Sequence, residues 1–251
     1  MKNPRNRPKP RPQTGIAGKS PRARRRHDPR GLTILHEDQD ILVVDKVAGL
    51  LTMGTNRERS KTAYSALTDY VRKGNPKSRE RVFIVHRLDR EVSGILVFAR
   101  SPQAKRTLQD NWEAVEKHYL ALVHGLPKKG EGVLSSHLVE TGVHRVQSTK
   151  DASAGKLSRT AYRVLGHSRG ITLLDIHLLT GRKHQIRVQL AEANIPLVGD
   201  RKYGTREGKD ASRLALHAYS LAFAHPYTGA ACRFETPIPA LFAKVPRSRK
   251  D

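Results

Sequence analysis

The chain of 251 residues carries 47 Lys and Arg against 23 Asp and Glu, with a formal net charge of +24 and a pI near 10.7. A field of that size predicts a polyanionic partner, with a merely solubilising surface as the alternative. No apolar run reaches the roughly 18 residues of a membrane span, which favours nucleic acid over a bilayer. One cysteine, Cys232, excludes an internal disulfide and a several-cysteine zinc site. The length suits one domain with appendages, and a reducing compartment, the cytoplasm, is expected.

Residues 1–30 hold eleven Lys or Arg against the single acid Asp28, and Ile16 is their only larger aliphatic residue. So little apolar surface cannot offset the entropy of ordering, and a disordered basic arm is expected. The arm resembles a transit peptide in its arginines, but its many prolines oppose an amphipathic helix. Residues 31–251 are expected to form one domain.

Leu32 to His36 and Ile41 to Val44 predict two short strands around the acidic turn Glu37-Asp38-Gln39-Asp40. Tyr64, Leu67 and Val71 predict a helix from Thr62 to Lys73, stopped by Gly74-Asn75-Pro76. A strand pair brackets Asp89. Ser101-Pro102 then opens a helix whose face carries Ala104, Leu108 and Trp112, and Trp112 is expected to pack in the core rather than stack on a base. Further strands are expected at Tyr119 to Val123, around Ala161 to Leu165, at Ile171 to Leu178 and around Leu214 to Phe223, with a helix over His184 to Ala193. This order predicts an α+β domain: a mostly antiparallel mixed central sheet with flanking helices, not a regular βαβ array.

The segment from Val85 to Arg100 is the most informative. An apolar strand ends in the polar turn His86-Arg87-Leu88-Asp89-Arg90-Glu91, and Ser93-Gly94 enters a second strand over Ile95 to Ala99. Loops at strand ends are where chemistry is usually mounted. Read alone, Asp89 also suits an ordinary surface salt bridge on a hairpin.

This segment resembles the catalytic segment of the RluA-type pseudouridine synthases, in which His-Arg-Leu-Asp, a Ser-Gly and an apolar strand carry the essential aspartate. Three later blocks are similar to the same family in the same order. They are Lys117 to Gly125, Leu179 to Arg187 with its continuation Asn194 to Gly204, and Leu214 to Pro239. Val92 departs from the family's threonine before Ser-Gly, and Gln189 from a histidine common after Gln-Ile-Arg. The separate N-terminal S4 RNA-binding domain of many relatives is not expected here.

The resemblance implies isomerisation of uridine to pseudouridine in ribosomal or transfer RNA, without a cofactor or metal, by a monomer with no membrane and no obligate protein partner. Asp89 would attack the ribose or remove a ribose proton. Arg187 would pair with it, a phosphate contact or a solvated helix face being the alternative. Tyr119 would lie against the flipped uracil and take the C5 proton, or serve only as packing. Arg87 would enter the RNA stack as the base leaves. His86, Arg90, Arg182, Lys183 and His184 are further RNA-binding candidates, and the basic stretch Lys150 to Arg163 could add contacts. The rival reading is a noncatalytic RNA-binding or ribosome-assembly protein on the same fold. Other chemistries lack their residues: twelve histidines show no His-Glu-x-x-His, and Gly18-Lys19-Ser20 has Gln13 where a phosphate loop needs its leading glycine.

Overall fold

A computed structural model describes residues 28–54, 58, 60–142, 145–204 and 211–247. All but the last three residues of the expected basic arm lie outside the described residues. The described residues form an eleven-stranded sheet with three α-helices. In chain order the elements are β1 (Leu32–Glu37), β2 (Ile41–Lys46), α1 (Ala63–Arg72), β3 (Phe83–Ile84), β4 (Ser93–Ala99), α2 (Pro102–Asp110), β5 (Glu116–His124), β6 (Glu131–Thr141), β7 (Arg145–Thr149), β8 (Lys156–Ser168), β9 (Ile171–Leu178), α3 (Gln185–Glu192), β10 (Leu216–Ala224) and β11 (Ala231–Glu235). The main path runs β1-β2-β4-β10-β5-β9-β8-β6-β7, with β3 on β4 and β11 on β10. Among these pairings only β4 with β10 is parallel, so the sheet is mixed and mostly antiparallel, as expected.

Period-two alternation sends neighbouring side chains to opposite faces. Leu42, Val44, Leu96, Phe98, Tyr119, Ala121 and Ile176 meet Leu67 and Val71 of α1 and Ile186 and Leu190 of α3 in one core. Ile41, Val43, Ile95 and Val97 face the other way, against Ala104 and Leu108 of α2 and Phe234 of β11. Both early helices start at hydroxyl caps: Thr62 accepts from the Ser65 amide at 3.0 Å, and Ser101 from the Ala104 amide at 3.0 Å with Pro102 next. Lys73 ends α1 in the left-handed conformation.

Several expectations need correction. The strand before Asp89 covers only Phe83–Ile84. The Val97 N–H donates to His86 Nε2 at 3.2 Å, and Gln109 Nε2 donates to the Val85 carbonyl at 2.9 Å. Side chains thus occupy ladder positions that backbone pairing would fill. The helix opened by Ser101 ends at Asp110, and Trp112 starts a 3₁₀ turn, half-buried against the second core. The strands β6 and β7 were not expected, and most of β6 is exposed or half-buried, so its sequence shows no clean apolar alternation. The closing strand starts at Leu216, because Ala215 bonds to Val198 and Leu122 instead.

Candidate active site

The loop from Val85 to Val92 is fixed by the segment following β2. Thr52 Oγ1 donates to the Leu88 carbonyl at 2.8 Å and accepts the Leu88 N–H at 3.2 Å. The fully buried Lys46 ammonium donates to the carbonyls of Leu50 at 2.8 Å, Val47 at 3.1 Å and Arg90 at 3.4 Å. Burial pushes that lysine down to about 8, against the pull of Asp89, Glu91 and Asp45. The Gly49 N–H donates to the Arg90 carbonyl at 2.7 Å, and Arg90 Nε to the Gly49 carbonyl at 3.0 Å. At the loop's exit Gly94 has φ +118° and lies against the Ala218 backbone of β10, a conformation and a space that only glycine fits. Ser93 Oγ is 2.8 Å from His217 Nδ1, and His217 Nε2 is 2.7 Å from Thr236 Oγ1. Rigid sheet and double clamp together hold Asp89.

Arg187, on α3, is buried and meets three acids. Its Nη1 donates to Asp89 Oδ2 at 3.2 Å and lies 3.5 Å from Glu91 Oε2. Its Nε and Nη2 donate to the two oxygens of Asp200 at 2.8 and 2.9 Å. Burial disfavours the guanidinium charge, but the hydrogen bonds and charge of Asp200, then Asp89 and Glu91, hold it more firmly protonated than usual. Burial would likewise raise Asp200. Arg187 and the amides of Lys202 and Tyr203 outweigh it and leave the carboxyl below its ordinary range. The Tyr203 ring packs 5.4 Å from the guanidinium, and its hydroxyl is 2.7 Å from His184 Nδ1. His184 Nε2 in turn lies 3.6 Å from Asp89, but burial keeps that imidazole below its ordinary value. The Asp89 side chain retains 24% exposure, so a reacting group can reach it.

A cleft of about 290 Å³ joins Asp89 and Arg187 to Tyr119, His86, Trp112, Lys117 and His184. Tyr119 is buried in its wall; burial and then the Asp89 charge push its phenol well above its ordinary value. A phenolate is therefore costly here. The cleft can accommodate a flat ring between the Asp89 carboxylate and an aromatic wall, and Asp89 is the one acid among its lining residues.

The RNA-binding candidates divide. Arg87 and Arg182 are exposed at the cleft rim. Lys183 pairs with Glu140, and Arg90 is spent on Gly49 and on Glu58 at 3.6 Å, which makes both structural as well as cationic. His86 stands in the wall of the cleft: burial pushes it down to about 3 and its Nε2 accepts from the Val97 N–H, so it is neutral there. Of the basic stretch Lys150 to Arg163, the residues from Lys156 onward lie in β8.

Asp200, Tyr203, Thr52 and Gln185 were not singled out as site groups by sequence. Gln185 ties the turn before α3 together, accepting from Thr180 Oγ1 at 2.8 Å and the Arg182 amide at 3.0 Å and donating to Arg159 O at 3.0 Å. The signal for Asp200 and Tyr203 is the polar run Asp200-Arg201-Lys202-Tyr203 directly after the apolar stretch Ile195 to Val198. The two departures are also explained. Val92 is buried in the main core, and Gln189 donates to Ser158 O at 2.9 Å and Ser136 Oγ at 3.0 Å, bracing β6 and β8 on α3. Among the described residues one group, Asp38, Asp40 and His225, could supply three metal ligands, but it lies outside the cleft lining and Asp38 already binds His36 and two backbone amides.

Comparison with known proteins agrees with this geometry. A family model described as RNA pseudouridylate synthase matches residues 40–192. An uncharacterised RNA pseudouridine synthase of Bacillus subtilis is 35% identical over 221 residues, covering 87% of this chain and 73% of that protein. The ribosomal large subunit pseudouridine synthase D of Nitrosomonas europaea is 38% identical over 221 residues; the alignment covers 83% of this chain but only 62% of the relative. The human RNA pseudouridylate synthase domain containing 1 superposes with a TM-score of 0.69 at 25% identity, covering 92% of each chain. The fold, the matched segment and these relatives together place the chain in the RNA pseudouridylate synthase family of isomerases, in its RluA type.

Proposed function

We propose that this protein converts specific uridines of ribosomal RNA to pseudouridine, with Asp89 as the essential group. The observation that carries the reading is the Asp89–Arg187 pair, 3.2 Å apart, at an accessible position of a cleft walled by Tyr119. Ribosomal RNA is preferred because the relative of Nitrosomonas europaea is named as a large-subunit synthase.

The target nucleotide leaves its stack, because a buried anomeric carbon cannot otherwise meet a carboxylate. The C1′–N1 bond breaks, the uracil turns, C1′ bonds to C5, the C5 proton leaves and N1 gains one. The product is an isomer, so no oxidant or group donor is required. Asp89 serves either as nucleophile at the ribose or as base for a ribose proton; both routes need its anion, and Arg187 Nη1 donates to that carboxylate at 3.2 Å. Tyr119 positions the base and relays the C5 proton. Arg87 and Arg182 hold the displaced strand at the rim, and residues 1–30 add nonspecific affinity for the polyanion.

The test is Asp89→Asn. RNA affinity and melting temperature stay near wild type while pseudouridine formation disappears. Mapping pseudouridines in RNA from cells with and without the gene identifies the target. Turnover of Asp89→Asn within a few-fold of wild type refutes the assignment, and an unchanged map supports a noncatalytic role.

A further inference from the structure

We propose that Trp112 and His86 form a stacking platform for an unpaired nucleobase next to the target uridine, a subsite that holds the neighbour of the base being converted. The proposal rests on the reading of the cleft as an RNA site. Trp112 starts the 3₁₀ turn after α2 and is only half-buried: it packs partly on the second core, yet it lines the same cleft as Asp89 and Tyr119. The His86 ring lies 4.6 Å from the Trp112 ring, tilted by 32°, so the imidazole packs against the indole and backs it. Donation from Val97 N–H to His86 Nε2 fixes that imidazole in place. The buried Lys117 ammonium donates to the Trp112 carbonyl at 3.3 Å and sits 5.8 Å from the centre of its ring, tying the turn to β5.

Three features point to a flanking base rather than to core packing alone. A purely structural tryptophan would not have to line a cleft beside a catalytic carboxylate. The two rings are aromatic and, since burial keeps His86 neutral, uncharged beside the Lys117 ammonium, and such ring faces suit the face of a base. Finally, Lys117 and Tyr119 lie on one face of β5, two residues and therefore about 6.6 Å apart. The lysine that holds the Trp112 carbonyl thus stands next to Tyr119, and the indole and Tyr119 wall one continuous cleft. Trp112 and His86 position RNA and do not touch the reacting atoms.

Trp112 is the only tryptophan of the chain, so its fluorescence reports the platform directly. The probes are the single-stranded pentanucleotide AAUAA and three versions lacking the base at the uridine, at its 5′ neighbour or at its 3′ neighbour. They are titrated into full-length Asp89→Asn protein, with binding followed separately by anisotropy. Quenching is expected with AAUAA and with the version lacking the uracil, and is lost with one of the two flanking-abasic versions. Trp112→Leu should bind AAUAA roughly ten-fold more weakly, Trp112→Phe should recover most of that loss, and neither should alter binding of the silent abasic version. Quenching that survives both flanking deletions, quenching lost only with the target base, or binding without quenching each overturns the proposal. Absence of binding at millimolar oligonucleotide does so too, since a preformed platform must hold an unpaired base without folded RNA. Uridine conversion is not read, so failure of the catalytic reading leaves these outcomes separate.

Discussion

Asp200 grips Arg187 through two parallel hydrogen bonds of 2.8 and 2.9 Å, and this grip aims the remaining guanidinium nitrogen at Asp89, 3.2 Å away. Arg187 is thus a fixed charge rather than a flexible one. A planar guanidinium forks onto one carboxylate and presents its free corner to another, a geometry that a lysine ammonium cannot reproduce.

Asp200→Asn is therefore expected to damage two properties together. Removing one partner of a buried ion pair costs about 3 kcal/mol, measured as a lower urea midpoint at unchanged slope. Misaiming Arg187 should slow single-turnover pseudouridine formation about 10²-fold. Glu91 is exposed and only 3.5 Å from the same guanidinium, so Glu91→Gln should shift stability by less than about 1 kcal/mol. Equal effects of the two substitutions would show that the bidentate grip does not matter.

Tyr119→Phe keeps the ring and its packing. RNA affinity should stay near wild type while turnover falls about 10²- to 10⁴-fold, the usual range for a lost proton-transfer group. Because burial and Asp89 raise the phenol above its ordinary value, the wild-type rate should show no rise attributable to phenolate as pH approaches about 10. A pH–rate profile in single turnover decides, and full activity of the variant would reduce Tyr119 to packing.

Gly94→Ala should prevent normal folding. The residue has φ +118°, and a methyl there would collide with the Ala218 backbone across the parallel β4–β10 pair. The expected loss is about 3 kcal/mol or more, seen as a fall in melting temperature. Gly181, in the turn before α3, has no such contact, and Gly181→Ala should be nearly neutral for stability.

The contribution of His217 to stability should fall on mild acidification. Burial, then Arg213, pushes His217 from 6.5 to about 4, while its two ring nitrogens hydrogen-bond Ser93 and Thr236. The unfolded chain takes this proton near 6.5 and the folded chain only near 4, so the unfolded state binds more protons between those values. The contribution is complete above 6.5 and is lost as pH falls through 4, on the order of 3 kcal/mol. Asp45, raised from 3.8 to about 6 by burial, acts with the opposite sign as pH falls from about 6 towards 4 and offsets most of this loss. The difference between wild type and His217→Gln isolates the histidine: the wild type should lose more stability between about pH 7 and about pH 4.5. Parallel curves in urea titrations would remove His217 from the account.

The sequence determined the class of partner, through its charge, and most of the fold's early elements, through caps and periodicity at Thr62, Ser101, Leu67 and Leu108. It also marked Asp89, Tyr119 and Arg187 through contiguous motifs, because the strand–loop–strand and turn–helix segments that carry them are local. Tertiary structure alone decided what surrounds them. Asp200 and Thr52 are positioned by contacts between segments distant in the chain, and half-exposed strands such as β6 carry no alternation to read. His86 stands in a basic motif, and its neutral state depends on burial that only folding supplies. Trp112 shows helical spacing with Leu108, yet the helix stops at Asp110, and that early stop brings its indole to the cleft. Local patterns specify elements, whereas charge state and site geometry depend on desolvation and on partners that only folding brings together.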